Sequence, residues 1–235
     1  MVSIIACTYR NFMKNNIFDN YARQEWKDKE LIIILNNDLM KIEEWEEKAK
    51  DYENVYIYQV PEEKTLGECL NFGIEKSNYD TVAKFDDDDY YSPYYLTEQM
   101  EAIEATGAKL VGKGVSFLYF KSKQLLTLYT LRFGRENNTG KSFLKGGTLV
   151  FKKDLYPEIK FPARKQQSDT GFVVACHQKN VKIHSTSRYN YVYIRRFNKF
   201  SHTYKISNKK LVRNCRVIAR TSDFKDLVTK KITRE

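Results

Sequence analysis

Cysteine is scarce and scattered in this chain. Cys7, Cys69, Cys176 and Cys215 form no CxxC pair, and no histidine stands at zinc-ligand spacing from them. A disulfide framework and a structural zinc site are therefore not expected, and the four residues read as reduced, mostly buried thiols of a cytoplasmic protein. Long apolar runs are missing too, and nothing approaches the ~20 residues needed to cross a bilayer as a helix. The first strand candidate begins at Val2, which leaves no room for a signal peptide. Proline (4) and glycine (10) are few among 235 residues, and neither a repeat nor a low-complexity linker interrupts the chain. Hydrophobic residues make up 42 % and aromatics 14 %, a globular rather than a disordered composition.

A basic stripe interleaved with aromatics is also lacking, although the net charge is +10. Residues 205–235 hold ten Lys/Arg against three acids, so this tail carries most of the excess and the body is nearly balanced. Nucleic acid is not an expected partner. In the tail, Leu211, Cys215 and Ile218, then Phe224, Leu227 and Val228 after Ser222, suggest two short basic amphipathic helices. Their expected role is packing onto the body, with membrane-surface or partner contact as the alternative. The division is thus a domain over 1–204 and a helical tail over 205–235, with a homo-oligomer left open.

The first hundred residues alternate strand and helix patterns. Val2–Cys7, Glu30–Leu35, Asn54–Val60 and Thr81–Phe85 read as buried strands. Helices are expected over Phe12–Arg23, Ile42–Lys50 and Gly67–Lys76, and from Pro93 to about Thr106. Such alternation implies βαβ units and a mostly parallel sheet, an α/β fold with a Rossmann-like nucleotide-binding half. Further on, Lys109–Phe120 and Gln124–Leu131 read as long strands and Gly134–Gly147 as a polar loop. Thr148–Phe151 follows as a strand, Asp169–Lys179 as a helix, and Val181–Ile183 and Tyr189–Ile194 as two more strands.

Asp86, Asp87, Asp88 and Asp89 stand together at the end of the fourth strand. Like charges this close repel unless a cation neutralises them. Hard divalent cations such as Mg²⁺ or Mn²⁺ sit on one or two carboxylates plus substrate phosphates. Ligands of open α/β sheets bind beyond the carboxyl ends of strands, so the run is a candidate metal–diphosphate site.

Three segments resemble glycosyltransferases of family 2, which have the GT-A fold. They are Val2–Asn11, Leu66–Ile74 with Tyr79–Asp89, and Gly146–Phe151 with Ser168–Phe172. The resemblance implies an inverting transfer of a sugar from a nucleoside-diphosphate donor to a hydroxyl of a glycan, glycoprotein or cell-surface polymer. It implies Asp88 as a metal ligand for Mn²⁺ or Mg²⁺ and Asp86 beside the ribose and metal, with Asp87 and Asp89 in support. Thr8, Tyr9 and Arg10 would form the base pocket, followed by Asn37 and Asp38; Gly67 and Asn71 belong to the family's glycine–asparagine helix. Gly146 and Gly147 would lie beneath the donor sugar, and Asp169 would be the general base that takes the acceptor proton. Arg195 and Arg196 are candidate diphosphate clamps and His202 a candidate metal ligand.

The family's Asp-Asp-Gly-Ser pattern after the second strand is here Asn36-Asn37-Asp38, which leaves the nucleobase open, with UDP or TDP favoured. A sugar nucleotidyltransferase would want a glycine-rich basic loop after the first strand, where this chain has Thr8-Tyr9-Arg10-Asn11. A catalytically inactive nucleotide-sugar or glycan binder is the other alternative.

Overall fold

A computed structural model describes residues 1–140, 142–197 and 206–232. Four strands in succession, β1 (Val2–Thr8), β2 (Lys29–Leu35), β3 (Val55–Gln59) and β4 (Thr81–Asp86), lie parallel in the order β3-β2-β1-β4. Their period-2 alternation feeds two cores. Ile4, Ala6, Leu31, Ile33, Ala83 and Phe85 point to one face, under α1 (Lys14–Ala22), α2 (Ile42–Ala49) and α4 (Tyr95–Thr106). Ile5, Ile32, Ile34 and Val82 point to the other, under α3 (Leu66–Lys76) and α5 (Ser168–Gln178). A reciprocal Thr65–Glu68 capping box starts α3.

After Asp86–Asp89 the chain leaves this sheet through β5 (Tyr90–Tyr91) and enters a second one. The large sheet is completed by β6 (Leu110–Gly112), β9 (Asn138–Thr139), β10 (Val150–Lys152) and β11 (Ile183–Ser185). The second holds β7 (Val115–Phe120), β8 (Leu125–Thr130), β12 (Tyr191–Arg195) and β13 (Arg216–Arg220), ordered β13-β8-β7-β12-β5. The aspartate run therefore bridges the two sheets. Among the described residues no helix is long and apolar enough to cross a membrane.

Two expectations from sequence are corrected. The long strand over Lys109–Phe120 is two strands in different sheets, β6 and β7, broken at Lys113-Gly114. At the break a Cβ on Gly114 would lie 2.8 Å from the Arg135 nitrogen, and the Lys113 side chain is wholly buried. The tail has two short helices, but a strand stands between them where the first was expected to continue. Between the short helices α6 (Asn208–Val212) and α7 (Lys225–Val228), β13 pairs antiparallel with β8. Arg-Val-Ile-Ala-Arg suits an edge strand, with β-branched residues at its centre and charge at both ends. Leu211 and Val228 are buried, so this segment packs into the second sheet's cores.

Candidate functional site

Parallel pairing sets Cys7 beside Asp86, which brings the loop after β1 against the aspartates after β4. Each carboxylate then finds its own partner. Thr8 Oγ1 donates to Asp87 at 2.6 Å, and the Arg10 guanidinium grips Asp87 with both a 3.1 Å Nε bond and a terminal nitrogen. Arg10 also reaches Asp88 at 3.2 Å, and Arg196 pairs with the same Asp88 oxygen at 2.8 Å. Lys84 pairs with Asp86. Asp89 accepts from the Tyr191 hydroxyl and, at 3.0 Å, from the Ile194 nitrogen. Asn16 holds the backbone of the run by donating to the carbonyls of Asp87 and Asp89.

Burial and the neighbouring Asp87 push the Asp88 carboxyl up to about 6, against the pull of Arg10 and Arg196. Asp89 is raised further by burial and by Asp88. Lys84 answers from below: burial opposes its charge, but Asp86 and Asp169 hold its ammonium above the ordinary lysine range.

Asp169 lies in the first turn of α5, where its Oδ1 accepts from the Thr170 nitrogen at 2.8 Å. Its carboxylate rests directly on Gly146, where a Cβ would overlap Oδ2. A Cβ on Gly147 would meet Asp86 Oδ2 and the Tyr191 hydroxyl, each at 2.7 Å. The glycine pair thus has no room for side chains, because it lies against both carboxylate groups of the site. Gly146→Ala is expected to displace Asp169 and cut turnover by about 100-fold, the scale of an ångström-level misplacement, with melting temperature little changed. Steady-state kinetics beside a thermal scan would check it.

These groups line one cleft of about 1070 Å³. Thr8, Tyr9, Arg10, Asn37, Asp86, Asp87, Asp88, Gly146, Gly147 and Asp169 all face it. Four of the residues expected at the site do something else. Asp38 is exposed and accepts from the Glu62 nitrogen. Gly67 packs against the Pro162 carbonyl, and Asn71 bonds both the nitrogen and the carbonyl of Phe161. Together they fix the segment that leads to Asp169 rather than lining the cleft. Arg195 is wholly buried and holds Asn208 and the Ile206 carbonyl, fastening the tail. Arg196 reaches the site through Asp88. His202 lies outside the described residues.

The sequence reading missed Lys84 and Lys145. Lys84 had a signal: it stands two residues before Asp86 in a strand, hence on the same face. Lys145 precedes the glycine pair, donates to the Tyr129 carbonyl and lies 4.6 Å from that ring's centroid. Burial pushes its ammonium down to about 7. Above pH 7 the folded chain has released a proton that the unfolded chain keeps, so this group's contribution to stability rises with pH. The stability of wild type relative to Lys145→Met is expected to increase between pH 7 and 8.5, read by urea denaturation at each pH.

No three His, Cys, Asp or Glu side chains among the described residues could enclose a metal on their own. A hard divalent cation needs only one or two carboxylates when phosphates complete its shell. Asp86 and Asp88, which both line the cleft, fit that requirement.

A parallel half-sheet, carboxylates at the end of its fourth strand and a helix that opens on an acid facing the same cleft make up the framework of the site. The family model "Glycosyl transferase family 2" matches residues 3–159, and the chain belongs to that family. Over 160 residues it is 28 % identical to the Escherichia coli O-antigen biosynthesis glycosyltransferase WbnJ, covering 66 % of this chain and 63 % of that protein. Residues 1–349 of S. aureus TarS, solved with UDP-GlcNAc, superpose with a TM-score of 0.61 at 14 % identity. That match covers 91 % of this chain and 64 % of the TarS fragment. A longer TarS structure gives 0.62 at 18 % identity, covering 82 % of this chain and 36 % of that one. The chain thus spans a little under two thirds of the relative and of the TarS fragment.

Proposed function

We propose that this protein transfers a sugar from a nucleoside-diphosphate donor, UDP or TDP favoured, to a hydroxyl of a glycan, glycoprotein or cell-surface polymer, inverting the anomeric centre. One observation carries the reading: the Asp169 carboxylate, seated on Gly146, faces the same cleft as Asp86 and Asp88.

Tyr9, half exposed with the Arg10 guanidinium 5.2 Å from its ring centroid, offers a stacking face for the base, and Asn37 adds hydrogen-bonding capacity beside it. Arg10 and Arg196 bring positive charge to the diphosphate. Asp88, with Asp86, would hold Mn²⁺ or Mg²⁺, which when bound neutralises the departing diphosphate without moving a proton. Lys84 steadies Asp86 and adds a cation between it and Asp169. Asp169 takes the acceptor hydroxyl's proton as that oxygen bonds to the anomeric carbon and the bond to the diphosphate breaks. A single displacement of this kind inverts the configuration.

Calorimetric titration of UDP, TDP and GDP, with and without Mn²⁺, tests this reading. Binding of one nucleotide that strengthens with metal, and is lost in Asp88→Ala, is expected. Failure of every diphosphate to bind the wild type would sink it.

A further inference from the structure

We infer that Phe133 and Phe143 form a stacking platform for a pyranose of the acceptor glycan, in the cleft that Asp169 also lines; the inference rests on the transferase reading above. Both rings line the cleft although both are exposed, Phe133 at 62 % and Phe143 at 36 %. Their centroids lie 6.4 Å apart with planes tilted by 37°, a pair that touches without closing on itself. Phe143 also packs on His177 at 5.6 Å.

The backbone is strained to present these groups. Among the described residues seven non-glycines have positive φ; four are asparagines, which tolerate it, and the others are Gln124, Phe133 and Gln167. Two of those three, Phe133 at φ 62° and Gln167 at φ 63°, line the cleft. Strain of this kind persists where surrounding structure enforces it, and it gathers at functional sites. Here the enforcing structure is visible. Gly134 donates to the Leu131 carbonyl and Leu131 donates to the Gly114 carbonyl, while Gly134 packs on the Gly114 backbone. The turn is therefore pinned at the strand break, with Phe133 at its tip.

The chemistry around the rings selects the occupant. Arg132 lies 5.0 Å from the Phe133 ring centroid, and Lys165, Gln166 and Gln167 line the same cleft. An apolar face bordered by hydrogen-bonding groups matches a pyranose, whose C–H face is apolar and whose hydroxyl rim is polar. Phe143 is three residues from Gly146, at most ~10 Å along extended chain. That bounds the backbone separation between the platform and the glycine on which Asp169 rests.

The test reads binding, not turnover. Wild type, Phe133→Gly and Phe143→Ala are applied to an array of oligosaccharides ending in glucose, galactose, their N-acetylated amino sugars or rhamnose, and each is titrated with UDP and Mn²⁺. Wild type is expected to retain at least one glycan, and each variant to bind it about tenfold more weakly with UDP affinity unchanged. Glycine accepts φ 62°, so Phe133→Gly should melt at or above the wild-type temperature, whereas loss of a purely structural ring would lower it. UDP binding without any glycan retention, or retention unaltered in both variants, overturns the platform and leaves the donor reading standing. Glycan retention lost in the variants, with no UDP binding by any form, supports the platform and removes the donor reading.

Discussion

Replacing Asp169 with Asn is expected to lower kcat by about 10³-fold while UDP affinity stays near the wild-type value, the effect of removing a general base. The substitution suits the site because asparagine has the shape of the carboxylate it replaces. It can occupy the same place on Gly146 and still accept from the Thr170 nitrogen, so neither packing nor the start of α5 changes. What is lost is the capacity to take a proton, together with the negative charge that faces Lys84. The donor contacts proposed above run instead through Tyr9, Arg10, Asp86 and Asp88, which line the same cleft. Single-turnover transfer and calorimetry on one preparation would separate the two effects. A fall in kcat below tenfold would mean that Asp169 is not the base.

The largest effect on stability is expected from Lys113→Met, about 3–5 kcal/mol, the cost of breaking a buried ion pair by removing one partner. Lys113 is wholly buried and its ammonium bonds Glu98 at 2.9 Å, Thr186 at 3.2 Å and the Ser187 carbonyl at 2.9 Å. Glu98 in turn accepts from Ser187 and from Asn190. Burial pushes the Lys113 pKa down while Glu98 pulls it back, so the charge depends on its partner. Methionine would leave the Glu98 carboxylate with its counter-charge gone. Because the Lys113 carbonyl also accepts from the Lys145 nitrogen, the cleft wall should loosen with the core. Urea denaturation of Lys113→Met and of Lys113→Met/Glu98→Leu checks this. The double variant should recover part of the loss, since an apolar pair leaves no orphaned charge.

The parts of this molecule legible in its sequence are those whose partners are near in the chain or fixed by a repeat. The apolar runs of β1, β2 and β4 announce a doubly covered parallel sheet, and the sheet alone sets the Asp86–Asp89 run beside Thr8–Arg10. Asp169 and Gly146 were each chosen from sequence by their resemblance to family positions, but nothing in the letters says that one sits on the other. The ion pair of Lys113 with Glu98 is less legible still, because a lysine beside a glycine in a β-rich stretch reads as a surface residue. Its burial follows from the chain crossing between two sheets, which local pattern does not encode. The segment Arg216–Arg220 was read as helix because spacing over so few residues fits either period; the open edge of β8 decides it. Arg195 and Arg196 are neighbours in sequence, yet one fastens the tail and the other faces Asp88, because alternation along a strand sends adjacent side chains opposite ways.

The seat of Asp169 on Gly146 also links two positions that any drift in this family's sequences must treat as one. A methyl group at 146 and a carboxylate at 169 exclude each other in this geometry, so a chain that acquires the first has surrendered the second, whatever letter it still carries there. Position 146 then becomes a quick genomic criterion: among paralogues that keep the four aspartates, those with a larger residue at 146 are the ones to suspect of having become binders rather than catalysts.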